Sequence, residues 1–236
     1  MAVKPEISVV IPALNEQKYI MIPINGLRKQ TFRKFETIVV DGGSNDGTVG
    51  IARKHSRIII DTKKGPGAAR NRGARAAKGS ILLFIDADTE PTAGLLAEYA
   101  RIFADKDVVA ATGPILPLEK SGRRVRYGYM FVSILFVKAS ILLNRPAVVG
   151  SNFAVRRSAF MKVGGFDEKL ITYEDWELSN RLKRFGRVVY SGKAVVHTSA
   201  RRVMAWGVWG YFIYHISNIF RFHVFRKSKS NYRQIR

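Results

Sequence analysis

The 236-residue sequence contains no cysteine, which excludes a disulfide framework, a thiolate metal site and a cysteine nucleophile. It contains no internal repeat and no low-complexity linker. No Asp or Glu follows Glu177, although Arg and Lys continue to Arg236. The N-terminus lacks the architecture of a signal peptide, so we expect the folded part of the chain to stay in the cytoplasm.

A convincing transmembrane segment is also missing. The apolar stretch at 129–143 is short and is interrupted by Lys138, and the stretch at 203–220 carries polar residues near its end. We therefore expect contact with the membrane interface, not a span. Residues 201–236 combine aromatic and basic side chains, which predicts a helical tail on the cytoplasmic face of an anionic membrane.

The net charge and the hydrophobic content limit the classes of protein to which the chain can belong. The 40 Lys and Arg residues against 18 Asp and Glu give a net charge of +22, which indicates an anionic partner: nucleic acid, anionic lipid or a phosphorylated substrate. A hydrophobic content of 47% in a chain of this length suffices for one well-packed core.

Strand and helix patterns alternate over the first 110 residues. Aliphatic runs predict strands at 7–11, 35–40, 58–60, 81–85 and 108–111, and the segments between them predict helices at 17–30, 48–55, 67–77 and 92–103. This alternation predicts an α/β fold with a Rossmann-like, mainly parallel central sheet flanked by helices. The second half is less regular, with predicted helices at 123–143 and 172–185 and predicted strands at 153–155, 188–190 and 194–197.

Three predicted strands end in polar clusters, at Asn15-Glu16, Asp41-Gly-Gly-Ser-Asn-Asp46 and Asp86-Ala-Asp88. Ligands bind beyond the carboxyl ends of the strands in such sheets, so three clusters on one edge predict a site. Asp86 and Asp88 are suited to a divalent cation that neutralises a diphosphate. The alternative is an acidic turn that caps the following helix.

Two further features of this edge concern a nucleotide. Asp41 lies beside glycines and can accept a hydrogen bond from a base N–H, whereas Asp46 and Thr48 predict a turn and a helix start. A glycine-rich turn at 65–67 precedes Arg70, which we expect to contact a phosphate. The turn matches neither a Walker loop nor a dinucleotide fingerprint.

The segment Glu174-Asp175-Trp176 has two interpretations. Thr172 and Asp175 approximate a capping box at a helix start. Alternatively, Asp175 is a general base beside an aromatic ring that stacks on a sugar. His197 ends a predicted strand and is either a metal ligand or an ordinary structural histidine.

The ordered set of motifs resembles the family 2 glycosyltransferases of GT-A fold. The motifs that carry the resemblance are Ser8-Val-Val-Ile-Pro-Ala-Leu-Asn-Glu16, Val39-Val-Asp-Gly-Gly-Ser-Asn-Asp-Gly-Thr48, Gly67-Ala-Ala-Arg-Asn-Arg-Gly73, Phe84-Ile-Asp-Ala-Asp88, Gly150-Ser-Asn-Phe-Ala-Val-Arg-Arg157, Gly164-Gly-Phe-Asp167, Glu174-Asp175 and Val195-Val-His197. The resemblance implies a catalytic domain at 1–200, with a nucleotide-sugar half at 1–113 and an acceptor half at 114–200, followed by the tail at 201–236.

The resemblance also implies roles for individual residues. Pro12, Glu16 and Asp41 would line the nucleoside pocket, with Arg70 and Asp86 on the rest of the donor. Asp88, with Asp86 and His197, would hold Mn²⁺ or Mg²⁺. Asp175 would be the catalytic base, and Gly150, Ser151, Asn152, Glu174 and Trp176 would lie on the acceptor side.

The implied reaction is inverting transfer of a sugar from a nucleotide-diphosphate sugar to a glycan or lipid-linked acceptor at the membrane. The Gln-x-x-Arg-Trp motif of processive synthases is missing after Asp175, which favours transfer of a single sugar. One alternative, a basic nucleic-acid-binding protein, leaves the acidic strand ends unexplained, so we expect no nucleic-acid partner. A second, a sugar-nucleotide nucleotidyltransferase, needs a glycine- and lysine-bearing signature where this chain has Pro-Ala-Leu-Asn-Glu.

Overall fold

The computed structural model describes residues 4–61, 65–119, 127–128, 131–170, 172–207, 210 and 217. Most of the predicted tail therefore lies outside the described residues, as do residues 123–126 and 129–130 of the helix predicted at 123–143. Within the described part of the chain, no helix is both long enough and apolar enough to cross a membrane.

Ten strands and seven α-helices are described. The strands are β1 Ile7–Ala13, β2 Phe35–Asp41, β3 Arg57–Ile60, β4 Ile81–Phe84, β5 Thr89–Pro91, β6 Val108–Thr112, β7 Ile115–Pro117, β8 Phe153–Arg156, β9 Arg187–Tyr190 and β10 Val196–Thr198. The helices are α1 Met21–Arg28, α2 Thr48–Arg53, α3 Pro66–Ala76, α4 Leu95–Phe103, α5 Val137–Leu142, α6 Arg157–Lys162 and α7 Glu174–Leu182. A π-helical turn covers Phe131–Phe136, and 3₁₀ turns cover Gly150–Asn152 and Lys183–Phe185.

The main sheet has seven strands in the order β3-β2-β1-β4-β8-β6-β9. All neighbouring pairs are parallel except those of β8, which runs antiparallel to β4 and β6. Along β1, Val9 and Ile11 pack in one core layer while Val10 packs in the other, so both faces of the sheet are buried. The predicted mainly parallel sheet is confirmed, and the predicted halves 1–113 and 114–200 both contribute strands to it.

A second sheet has three short strands in the order β5-β10-β7, of which only β10 overlaps a predicted strand, the one at 194–197. It joins parts of the chain that are about a hundred residues apart, and the hydroxyls of Thr89 and Thr198 are hydrogen-bonded across it at 2.9 Å. Since β5 directly follows Asp88, this sheet fixes the position of the aspartate loop.

Two helix starts differ from the prediction. Helix α1 begins at Met21 instead of residue 17, because residues 16–20 form a turn and Pro23, which has no N–H, is tolerated only in the first turn. Helix α7 begins at Glu174 after Tyr173, whose φ is 77° and whose side chain makes no capping bond. The capping-box interpretation of Thr172 is therefore wrong.

Candidate active site

The loops after β1 and β2 are joined by hydrogen bonds at the carboxyl edge of the sheet. Asn15 donates its backbone N–H to Ser44 Oγ at 2.8 Å, and its own side-chain oxygen accepts the N–H of Asn45 at 2.9 Å. Asn15 has a φ of 53°, a conformation that asparagine tolerates. Asp46 accepts the N–H of Thr48 at 3.0 Å, which confirms the predicted turn and helix start.

Asp41 lies at the end of β2, where the second of these loops begins, and is 1% exposed. Its Oδ1 accepts the N–H groups of Gly43 and Ser44 at 3.0 and 2.7 Å, and its Oδ2 accepts the Ser44 hydroxyl at 2.6 Å. These bonds stabilise the loop, and a base contact by Asp41 stays a prediction. Pro12 lies near the end of β1, half-buried and opposite Val40 in the register.

Arg70 of α3 is the centre of a first set of charges, which we call the Arg70 cluster: Arg70, Asp86, Glu174 and Asp175. The guanidinium donates to Glu174 Oε1 at 2.8 Å and to Asp86 Oδ1 at 2.9 Å, and it lies over the ring of Phe166. Arg70 is 4% exposed, so its charge is held by two carboxylates inside the protein. A direct phosphate contact by Arg70 stays a prediction.

Asp175 is held by backbone groups from two parts of the chain. Its Oδ2 accepts the N–H of Gly150 at 2.7 Å and its Oδ1 accepts the N–H of Trp176 at 2.8 Å. A Cβ at residue 150 would lie 2.9 Å from Nη2 of Arg70, so a side chain there would displace the guanidinium from its present position. The αL backbone of Tyr173, unusual for an aromatic residue, directly precedes these acids.

The two adjacent acids of α7 hold their protons more tightly than free carboxyls. Burial, and then the charge of Asp175, raises the pKa of Glu174 to about 7, although Arg70 opposes the shift. Burial also raises the pKa of Asp175. A carboxylate with a raised pKa is a stronger base, which suits proton removal from a hydroxyl.

A second set of charges, the Arg201 cluster, contains Glu16, Tyr19, Asp88 and Arg201. Arg201 donates two hydrogen bonds to Glu16 at 2.7 and 3.0 Å, and its Nη2 lies 3.1 Å from Asp88 Oδ2. Its guanidinium stacks on Tyr19 at 4.4 Å. The sequence analysis missed Arg201; the available signal was an Arg-Arg pair that follows the last strand.

The two clusters contain more acids than bases, which bears on a metal. Five carboxylates, from Glu16, Asp86, Asp88, Glu174 and Asp175, surround two guanidinium groups. Burial, and then the neighbouring charge of Asp86, raises the pKa of Asp88 to about 6, although Arg201 and Arg202 oppose the shift. The edge therefore favours an additional cation.

Asp86 and Asp88 fit a hard divalent cation by chemistry. Mg²⁺ is commonly bound by one or two carboxylates, with water and substrate phosphate completing the shell. The side chain of Asp86 is 31% exposed and faces solvent in part. Over the described ranges no three His, Cys, Asp or Glu side chains converge, so protein groups alone would not complete a metal shell there.

The structure does not bring His197 to the two aspartates. In β10 the side chain of Thr198 contacts Asp88 at 3.4 Å. Because successive side chains of a strand point to opposite faces, His197 lies on the other face, where it is paired in register with Glu90.

The predicted acceptor-side residues separate into two groups. Asn152 is fully buried, and its side chain accepts the Tyr99 hydroxyl at 2.6 Å and donates to Ala194 O at 2.8 Å. Ser151 is also buried, so both residues belong to the interior. Trp176 is half-buried and packs on Tyr173 with ring centroids 4.5 Å apart, beside Asp175.

Comparisons with known proteins identify the family and the fold. The family described as glycosyl transferase family 2 matches residues 8–164. The chain belongs to glycosyl transferase family 2. It is 32% identical over 186 residues to glycosyltransferase AglE of Haloferax volcanii, which covers 75% of this chain and 61% of AglE. The chain thus spans less than two thirds of the length of this relative.

Two solved structures share the fold. The mannosyltransferase PcManGT of Pyrobaculum calidifontis, in complex with GDP-Man and Mn²⁺, aligns with a TM-score of 0.66 at 21% identity over 92% of this chain and 65% of its own. TarS of Staphylococcus aureus, in complex with UDP-GlcNAc, aligns with a TM-score of 0.65 at 24% identity over 82% of this chain and 58% of its own. The predicted GT-A fold is confirmed.

Proposed function

We propose that this chain transfers one sugar from a nucleotide-diphosphate sugar to an acceptor hydroxyl, with inversion at the anomeric carbon. The observation that carries the proposal is the setting of Asp175. Its carboxylate is fixed by Gly150 and Trp176, has a raised pKa, and lies beside the Asp86–Arg70–Glu174 network at the edge of the sheet.

Asp175 acts as the general base. Its carboxylate takes the proton of the acceptor hydroxyl, whose oxygen then attacks the anomeric carbon from the face opposite the nucleotide. A single displacement inverts the configuration and needs no second catalytic carboxylate. Trp176 borders the acceptor and offers a ring face to a sugar.

The donor lies along the other strand ends. The ends of β1 and β2, with Pro12, Glu16 and Asp41, receive the nucleoside, and Asp86 and Asp88 are the residues that would hold Mn²⁺ or Mg²⁺. Such a cation neutralises the charge of the departing diphosphate. Arg201 contributes a second positive charge near the same carboxylates, within 3.1 Å of Asp88.

Single transfer, membrane association and a cytoplasmic location complete the proposal. The helix after Asp175 reads Trp-Glu-Leu-Ser-Asn-Arg-Leu, without the processive motif. The net charge of +22 suits an anionic membrane surface, where a lipid-linked or glycan acceptor would be met.

A thermal-shift screen tests the donor half of the proposal. The full chain is heated with UDP, GDP, CDP and ADP, each with and without Mn²⁺, and a nucleotide that binds the native state raises the midpoint. We expect one diphosphate to act more strongly with Mn²⁺, and the increment from Mn²⁺ to disappear in Asp88→Asn. Equal shifts with all four nucleotides, or an unchanged increment in the variant, would contradict the assignment.

A further inference from the structure

The segment from the π-helical turn through α5 exposes several large apolar side chains. Helices on a protein surface normally bury apolar residues and expose polar ones. Here Ser140 is buried, and it accepts the N–H of Ala147 at 2.9 Å and donates to Val137 O at 2.7 Å. The large side chains of Phe131, Leu135 and Leu142 instead face outward.

The exposure of these side chains is high. Leu142 is 85% exposed, Leu143 75% and Leu135 62%. Phe131, Leu135 and Leu142 follow one another at intervals of four and seven residues, which places them along one side of a helical segment. We call Phe131, Leu135, Leu142 and Leu143 the apolar ridge. Water is an unfavourable neighbour for such a contiguous set.

The charge around the ridge indicates the neighbour. No Asp or Glu occurs between Glu119 and Asp167, whereas this stretch contains nine Lys and Arg residues. Lys138 and Arg145 are exposed on or next to the ridge. Exposed apolar side chains next to exposed cations, in a stretch of sequence without acids, match the boundary between acyl chains and anionic headgroups.

The ridge is also connected to the catalytic carboxylate. Phe136, beside the ridge, packs edge-to-face on Trp176 with ring centroids 5.8 Å apart. Trp176 follows Asp175 directly, and its N–H binds that carboxylate. A surface that holds the ridge would therefore lie a few side chains from the acceptor site.

We propose that the apolar ridge is a docking surface for an anionic lipid bilayer, which presents an acceptor from the membrane to Asp175. The role of the acceptor rests on the proposed function, but the docking itself does not. Lipid is chosen over a second copy of the chain because the surrounding cations would repel their own copies across a symmetric interface.

Vesicle co-sedimentation of the full chain tests the surface. The vesicles are phosphatidylcholine alone or phosphatidylcholine with phosphatidylglycerol. The test variant carries Leu135→Gln, Leu142→Gln and Leu143→Gln. The matched control is Ile60→Gln, because Ile60 is 56% exposed on β3, away from the ridge.

We expect the wild type and Ile60→Gln to bind the anionic vesicles, and the triple variant to bind at least about tenfold more weakly. Lys138→Gln with Arg145→Gln should weaken binding to anionic vesicles alone. Equal binding by the triple variant and the wild type, or no binding by the wild type, would overturn the proposal. A wild-type dimer in light scattering that the triple variant loses would assign the ridge to a second copy instead.

The thermal shift with nucleotide and Mn²⁺, measured on the same variants without vesicles, separates this proposal from the transferase function. The ridge residues belong to neither charge cluster, so the shift should be unchanged in the triple variant. Loss of vesicle binding with a normal nucleotide shift supports docking by the ridge. A wild type that binds vesicles but responds to no nucleotide would contradict the proposed function alone.

Discussion

The two arginine clusters resemble each other in composition but differ in how they are built. Arg70 lies in the middle of a helix, is 4% exposed, and pairs with acids from two other elements. Arg201 lies at the start of a helical segment that follows β10, and it pairs with Glu16 and Asp88. The first cluster is part of the core, whereas in the second Arg201 packs against the sheet edge from a segment outside the main sheet.

This difference predicts a structural role for the Arg70 cluster and a role in ligand binding for the Arg201 cluster. The carboxylates of the Arg70 cluster need their arginine to remain buried, since an unpaired buried charge is costly. In the Arg201 cluster, the guanidinium is paired with Asp88, the carboxylate that we assign to the metal. A donor diphosphate with its cation would therefore contact Arg201 before Arg70. The predictions below test this difference between the two clusters.

The largest effect is expected for Asp175→Asn. An amide can still accept the Gly150 N–H but cannot take a proton, so transfer should fall by about 10²- to 10⁴-fold while nucleotide binding is retained. Initial rates of product formation measure the loss, and circular dichroism checks the fold. Glu177→Gln, in the same first turn of α7, is the matched control. If Asp175→Asn retained activity within a few-fold, the base would have to be another group.

Arg70→Met comes next and should act on stability. It leaves Glu174 and Asp86 without their shared cation, which we expect to lower the free energy of unfolding by about 3–5 kcal/mol. Urea unfolding at pH 7 measures the change. Arg72→Met on the same helix removes a side chain that is 52% exposed and should cost less than about 1 kcal/mol. Similar losses in the two variants would show that the Arg70 cluster is not structural.

How far the sequence predicted these clusters depends on the range of the interactions. The buried strands of the main sheet were recognisable because both faces are covered, which produces uninterrupted aliphatic runs at 7–11 and 81–85. Strands β5, β7 and β10 have three residues each, too few for any periodicity. Asp86, Asp88 and Asp175 were found from local patterns beside strands and helices.

Contacts between distant residues were not predictable in the same way. The bond between Arg201 and Glu16 joins residues 185 positions apart, and no local pattern identifies such a partner. The Thr172 pattern fitted a capping box, but the αL backbone of Tyr173 starts the helix elsewhere. His197 matched its motif, although the alternation of β10 turns it away from Asp88.

Arg201→Met should lower stability less than Arg70→Met does, and it should strengthen metal binding. We expect a loss of about 1–3 kcal/mol, because the side chain of Arg201 is 10% exposed and that of Arg70 only 5%, so its removal leaves a less deeply buried gap. Without nucleotide, Mn²⁺ should bind more tightly to the variant, since Asp88 loses a competing cation. Calorimetric titration with Mn²⁺ measures this, with Arg72→Met as control. Weaker Mn²⁺ binding would show that Arg201 supports the metal site and does not compete with it.

The smallest effect concerns an acid outside both clusters. Glu98 accepts bonds from Arg101 at 2.8 and 2.9 Å and from Ser191 at 2.6 Å, and the Arg101 bonds chiefly lower the pKa of Glu98 to about 2. A carboxyl with a lowered pKa in the native state stabilises the fold above its unfolded value of 4.5, and this contribution disappears as the pH falls towards 2.

Glu98→Gln should therefore cost about 1 kcal/mol at pH 7, kept low because solvent screens the exposed Arg101, and progressively less between pH 4.5 and pH 3. Glu174 should show the opposite slope: its native pKa of about 7 means that the native state binds its proton more tightly, so its contribution falls as the pH rises from 4.5 to 7. Unfolding free energies of the wild type, Glu98→Gln and Glu174→Gln across this range compare the two slopes. Equal slopes would mean that the native pKa of Glu174 is lowered like that of Glu98, which would contradict the effect of burial that is also the cause of the raised pKa of Asp175.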